Sequence, residues 1–363
     1  DRAAGAPHPR ETAVLHGQAR AEAAFLDAFN GGRLHHAWLI SGPRGVGKAT
    51  LAWRLARFLL ATPDGGGLFA PPAPATLDIP DAHPVAIRLR ALSEPRLFLL
   101  RRSPTDKGSA LSQVITVDDV RALERFLHLS AADGGRRAVI VDAADELNAS
   151  AANAILKMLE EPPARVSFLI VAHQPARLLP TIRSRCRSLR LQRLDAPGIA
   201  AALAQAGVVV DDAVATTELA GGSAGTALRL VTLDGIARYR DLVALMLGLP
   251  RLDRPRLIAF AEAGAARGAE GLFDLTVTLI DQFLARAART GITRTPPPEA
   301  APGEAALLSR LAPDDRAARA WADLAQTLGL RARAGKAVNL DPAALLVDMV
   351  LKVDETAGRL APR

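Results

Sequence analysis

The run Gly42-Pro43-Arg44-Gly45-Val46-Gly47-Lys48-Ala49-Thr50 has the GxxxxGK frame of a phosphate-binding loop. Glycines at this spacing let the backbone curl so that its N–H groups, with the start of the following helix, face phosphate oxygens. Lys48 adds a point charge for the outer phosphates. Gly42, Gly45, Gly47, Lys48 and Thr50 are therefore candidate nucleotide-binding residues. The position after Lys48 normally supplies a Ser or Thr hydroxyl to magnesium, and here it is Ala49, whose methyl group cannot ligate a metal. Thr50 can still touch an inner phosphate, so ATP or ADP could bind, but metal-assisted hydrolysis is not expected and no cofactor is required.

A second set of chemistry-bearing residues follows the apolar run Ala138-Val139-Ile140-Val141. Asp142 stands where a carboxylate would steady magnesium and completes the degenerate nucleotide-binding set. Its neighbour is Ala143, so no carboxylate is present there to activate water. Asp145 and Glu146 lie across a turn and read as a solvated helix-start cluster rather than a displaced base. Further on, Thr181-Ile182-Arg183-Ser184-Arg185-Cys186 concentrates guanidinium charge next to the only cysteine. One cysteine excludes a disulfide framework and a four-cysteine zinc site, and it fits a reducing compartment. No base partners Cys186 at a recognisable spacing, so it reads as a small packed side chain. His35 and His36 are expected to pack, or to line a nucleotide pocket, rather than bind metal.

These residues need a strand–loop–helix scaffold, and the pattern supplies one. Arg20 to Asn30 reads as a helix ended by Gly31 and Gly32, and His36 to Ile40 as a buried strand. Lys48 to Leu60 should be a helix with Leu51, Leu55, Phe58 and Leu59 turned inward. Residues 62–84, rich in Gly, Pro and Ala, read as an irregular insertion. Further strands are expected at Leu97 to Leu100, Ala138 to Val141, Ser167 to Val171 and, at an edge, Ser188 to Leu191. Ile115 to Asp119 should be a strand end passing into a helix, with its carboxylates capping the first turn. Ser150 to Glu160 should be a helix stopped by Pro162-Pro163. Strands alternating with helices predict a parallel sheet wrapped on both faces, ending near residue 192. Beyond it only helical segments are expected: Ile199 to Ala206, Asp212 to Leu219, Thr226 to Leu233, and several longer ones after Leu252. Gly248-Leu249-Pro250 should divide a small helical block from a larger one, with Pro296 to Gly303 a loop.

The 363 residues suffice for two or three domains. Ten Phe, three Trp and one Tyr against abundant Ala, Leu and Val imply an aliphatic, largely helical core and argue against an all-β sandwich. The net charge of +7 is carried mostly by arginine, which suits nucleic acid or an acidic partner, although GC-rich codon usage accounts for it equally well. No apolar run reaches the length of a membrane span and no signal peptide is recognisable, which gives a cytoplasmic expectation.

Asn148-Ala149-Ser150-Ala151-Ala152-Asn153-Ala154-Ile155-Leu156-Lys157-Met158-Leu159-Glu160-Glu161-Pro162-Pro163 resembles the helix and exit turn of bacterial DNA polymerase III clamp-loader subunits, members of the AAA+ superfamily. Ser184-Arg185-Cys186 resembles the Ser-Arg-Cys motif of the same family, whose Arg reaches into the ATP site of the next subunit. Gly222-Ser223-Ala224-Gly225-Thr226-Ala227-Leu228 resembles the Gly-Ser-x-Arg segment of the motor subunits, with Gly225 where they carry Arg. Active AAA+ motors also carry Glu at the place of Ala143. The loss of three hydrolysis elements beside a retained Arg185 is similar to the delta-prime branch of the family.

That resemblance implies a P-loop (AAA+) α/β domain over 1–192, a small helical lid over 193–247 and an all-α collar over 248–363 used for oligomerisation. It further implies that Arg185 acts in trans as an arginine finger, in a hetero-pentamer with gamma or tau and delta subunits that meets the sliding clamp and primed DNA. Some family members carry a four-cysteine zinc module after the P-loop helix. This chain has the Pro- and Gly-rich insertion there, so no zinc is expected.

Three other readings stay open on the sequence. One is an active gamma- or tau-type ATPase in which Thr50 and Asp145 replace the missing groups. Another is a nucleoside monophosphate kinase, because Gly47-Lys48-Ala49-Thr50 approaches that family's loop. The third is a DNA-binding module in which the helix starting near Asp118 offers its N–H groups to phosphate without reading bases.

Overall fold

The computed structural model describes residues 7–12, 14–63, 72–104, 111–128, 135–266 and 271–361. Along the α/β part run α1 (Ala19–Asn30), β1 (Ala37–Ser41), α2 (Lys48–Ala61), α3 (Pro84–Arg90), β2 (Leu97–Arg101), α4 (Val117–His128), β3 (Arg137–Asp142), α5 (Ala149–Glu160), β4 (Val166–Ala172), α6 (Pro180–Ser184) and β5 (Arg187–Arg190). The strands form one parallel sheet in the order β2-β3-β4-β1-β5.

Successive side chains of a strand point to opposite faces, and here that alternation divides the apolar runs between two cores. Trp38, Ile40, Ala138, Ile140, Leu169 and Val171 join Phe25 of α1 and Leu51, Leu55 and Leu59 of α2. Ala37, Leu39, Val139, Val141, Phe168 and Ile170 join Val120 and Leu123 of α4 and Ile155 and Leu159 of α5 on the other face. Both faces are covered, which is why the central strands are continuously apolar. At the edge, β5 buries Leu189 while Arg187, Ser188 and Arg190 stay exposed.

Two details depart from the expectation. Helix α2 is buried on all sides from Leu51 to Leu60, including Arg54, which pairs with Glu22 and Asp78, and Arg57, which donates to the Arg10 carbonyl. An inward stripe alone would have left these arginines in water. Ile115 belongs to no strand but makes a single parallel bridge to Leu147. Of the insertion expected over 62–84, residues 64–71 lie outside the described residues. Residues 72–83 carry no helix or strand, yet Leu77 is buried in the core beside α2.

The remainder is helical: α7 (Ala196–Gln205), α8 (Ala213–Ala220), α9 (Ala224–Thr232), α10 (Gly235–Met246), α11 (Arg254–Gly264), α12 (Leu272–Thr293), α13 (Glu304–Leu311), α14 (Asp315–Ala337) and α15 (Pro342–Leu360). Side-chain caps from Asp195, Asp212, Ser223, Asp253, Asp314 and Asp341 start six of these helices. One buried apolar cluster runs from Leu194 to Ala357 across all of them. Helix α10 was not expected from the pattern. Its buried Tyr239 and Arg238 look polar in sequence and are satisfied only by distant partners: Tyr239 donates to Glu304 (2.5 Å) and Arg238 to the Phe260 carbonyl and Thr276. Glu304, wholly buried, also accepts from Arg286 (2.6 Å) and the Ala300 N–H (2.8 Å), so its carboxylate is satisfied inside this core.

Candidate functional site

Because the strands are parallel, the carboxyl ends of β1, β3 and β4 open onto the same edge of the sheet, which is where ligands bind in such folds. In register, Ser41 lies beside Ala172, and Asp142 beside Val171. The structure thus brings Gly42 to Thr50, Asp142 and Ala143 to one place, as their types suggested. Gly45 and Gly47 adopt left-handed backbone (φ +74° and +98°), and Gly47 stands at the start of α2. A cavity of about 490 Å³ adjoins this loop, lined among others by Lys48, Ala49, Thr50, Asp142, Ala143 and His173.

Lys48 is turned onto its own loop. Its Nζ donates to the carbonyls of Gly42 (2.7 Å) and Pro43 (2.6 Å), and only 4% of the residue is exposed. Burial pushes this ammonium down to about 8, with Asp145 and Asp142 acting in the opposite direction. Asp142 is pushed up by burial, with Arg101 and Lys48 opposing the rise. Thr50 lines the cavity, but Ala49 presents a methyl group and Ala143 is buried. Glu146, the other carboxylate of the lining, is paired with Arg102 at 2.9 Å. Among the described residues this leaves Asp142 as the one carboxylate of the lining outside an ion pair, a donor set that does not fit a magnesium ion.

The expectation for Asp145 and Glu146 needs correcting. They are not a solvated cluster: residues Ala144–Glu146 form a 3-10 turn in which Asp145 accepts the backbone N–H of His173 (2.9 Å) while Glu146 holds Arg102. The turn fastens the end of β3 to the end of β4.

The loop is also closed from the helical side. The N–H of Gly225, in the first turn of α9, donates to the carbonyl of Gly45 at 3.0 Å. A Cβ at Gly225 would come within 3.1 Å of Gly45 Cα, and a Cβ at Gly45 would collide with Ser223 Oγ. Glycine at both positions allows two backbones to touch where a larger residue would hold them apart.

Arg185 lies elsewhere. It follows α6, its backbone N–H bonded to the Ile182 carbonyl, and Cys186 beside it is half-buried, with its thiol pushed up to about 12 by burial. The guanidinium donates through Nη1 to the Thr181 carbonyl (3.0 Å) and pairs through Nη2 with Glu160 (2.6 Å). A third of the side chain remains exposed, and it does not line the phosphate-loop cavity. His35 and His36 stack on each other at 4.3 Å, and His36 Nε2 contacts the Leu159 carbonyl (3.1 Å). Both pack, and neither lines the cavity. At the start of α4, Asp119 accepts from the backbone and hydroxyl of Thr116 (both 2.8 Å), and Asp118 pairs with Arg121. Two carboxylates at that helix start oppose the phosphate contact of the DNA-binding alternative.

A family model described as "DNA polymerase III, delta subunit" matches residues 17–195. The delta' subunit of DNA polymerase III from Escherichia coli (strain K12) is 30% identical over 90% of this chain and 91% of its own length. The chain belongs to the DNA polymerase III delta-prime family. The delta' subunit of Pseudomonas aeruginosa is 34% identical over 63% of this chain, an alignment that spans 65% of that relative. The gamma/tau subunit of Mycobacterium tuberculosis is 32% identical over 75% of this chain and 46% of its own length.

Sequence reasoning missed two residues of this region. His173 follows β4 directly and lines the cavity, its Nδ1 buried without a hydrogen-bond partner, and burial beside Lys48 and Arg44 pushes it down to about 4. No spacing marks it. Gln18 is almost wholly buried and bridges the chain ends of the site, its amide bonded to both the carbonyl (2.9 Å) and the N–H (3.0 Å) of Gln192. A single Gln ahead of a helix carries no signal of that.

Proposed function

We propose that this delta-prime family member is a stator of the DNA polymerase III clamp loader, which donates Arg185 to the ATP site of a neighbouring subunit and does not turn over ATP itself. The observation that carries the reading is the contrast at its two sites. Lys48 is engaged by its own loop and methyl groups stand at Ala49 and Ala143 beside it, whereas Arg185 is held at the surface with part of its guanidinium open. A guanidinium supplied in trans offsets the charge that develops on the transferred phosphoryl group, an effect worth about 10³ to 10⁵ in rate. Its partners are gamma or tau and delta subunits in a hetero-pentamer, with the lid over 193–247 and the collar over 248–363, acting on the sliding clamp and primed DNA in the cytoplasm. Thr50 leaves room for ATP or ADP without hydrolysis.

The test is ATP hydrolysis by the purified chain alone and then with an ATP-hydrolysing clamp-loader subunit, delta, clamp and primed DNA. Silence alone, and DNA-stimulated hydrolysis in the complex that Arg185→Ala removes at one site without disturbing assembly, are expected. Robust turnover by the isolated chain, abolished by Lys48→Ala, would make the protein a motor of the gamma type instead.

A further inference from the structure

The exit turn Glu160-Glu161-Pro162-Pro163 has no part in the phosphate loop, yet Glu160 makes the shortest contact to the arginine on which the function rests. Glu160 is the last residue of α5, where a carboxylate faces the negative end of the helix and is locally unfavourable. Its position there is rigid. Asn148 caps the opposite end of α5 through the Ala151 N–H (2.8 Å), His36 holds the Leu159 carbonyl, and the two prolines end the helix. On the other side, the Arg185 backbone is fixed by the end of α6 and by half-buried Cys186.

We propose that Glu160 is a positioning residue for Arg185: with the Thr181 carbonyl it fixes the plane of the guanidinium, so that the remaining N–H groups already point outward before the neighbouring subunit arrives. This rests on the reading of Arg185 as an arginine donated in trans. A long arginine side chain on a helix end samples many rotamers, and catalysis by a positioned charge falls steeply when it is misplaced. One hydrogen bond to the Thr181 carbonyl of α6 and one to the Glu160 carboxylate at the end of α5 remove that freedom. The carboxylate has an opposite effect as well, because its charge offsets part of the field of the guanidinium. The two effects are separable: Gln keeps an oxygen acceptor for Nη2 and removes the charge, whereas Ala removes both.

The experiment measures DNA-stimulated ATP hydrolysis of the reconstituted complex carrying Glu160→Ala, Glu160→Gln, Arg185→Ala or the Glu160→Ala/Arg185→Ala pair, with assembly checked by size exclusion. Positioning predicts a kcat about tenfold lower at the affected site for Glu160→Ala, with little change in KM for ATP. Glu160→Gln should recover most of that rate. The double variant should be no slower than Arg185→Ala alone, because the two residues act through one interaction. If Arg185→Ala slows the complex but Glu160→Ala leaves it unchanged or faster, the positioning role is overturned while the arginine reading stands. If Glu160→Gln is as slow as Glu160→Ala, charge rather than geometry is what matters, and the proposal again falls. If Arg185→Ala itself has no effect, both fall together.

Discussion

The phosphate loop and the Arg185 corner both belong to the α/β part of the chain, but they use their cations in opposite ways. Lys48 is buried and points back at the Gly42 and Pro43 carbonyls, on a loop that Gly225 also contacts through the Gly45 carbonyl. Arg185 is held by one carbonyl and one carboxylate at the surface, with much of its fork still open. A site that must receive phosphate keeps its donors free, and one that serves a structural role saturates them. On the proposed function, the difference is that of a fold keeping the half of the machinery that serves a neighbour while the half that serves itself becomes part of the packing.

The largest effect expected from disturbing this contrast is at Gly225. Gly225→Arg adds a guanidinium beside the loop but puts a Cβ against Gly45 Cα, so it should lower stability by about 1–3 kcal/mol without creating ATP hydrolysis. Thermal unfolding together with an ATPase assay checks it, and turnover gained at unchanged stability would break the comparison. Next is Lys48→Ala. It removes two charge-assisted hydrogen bonds and also a buried ammonium, so the net stability change should stay within about 1 kcal/mol. The ATPase of the assembled complex should be unaltered, and its loss would show that this loop still works on nucleotide.

The last effect concerns pH. His173 has a folded pKa of about 4 against 6.5 in the unfolded chain, so between these values the unfolded state binds the extra proton. Stability present above pH 6.5 is therefore lost as pH falls towards 4. Because the side chain is only partly buried, the loss should be about 1–2 kcal/mol after allowance for solvent screening. In His173→Asn, denaturant unfolding across this range should show a correspondingly shallower acid-side slope.

The sheet was legible because each central strand is a short apolar run between turn residues, and the phosphate loop because its glycines lie close together in the chain. Ala49 and Ala143 could likewise be read directly, since a methyl group offers no ligand wherever it is placed. Helix α10 was not legible, because Arg238 and Tyr239 break its apolar pattern and are made tolerable only by Thr276, the Phe260 carbonyl and Glu304 on other elements. Asp145 misled for the same reason: a carboxylate after a strand looks solvated until the His173 N–H is brought to it.

The sequence by itself determined the parallel α/β scaffold, the loop and its missing hydroxyl, and the arginine beside the only cysteine, all of which are set by residues near one another along the chain. Only the tertiary structure decided that Lys48 is internally satisfied, that α9 seats on Gly45, and that Glu160 reaches Arg185. Each of these depends on which atoms meet across elements remote in sequence, and hydrogen-bond geometry of that kind leaves no periodicity for a pattern to reveal.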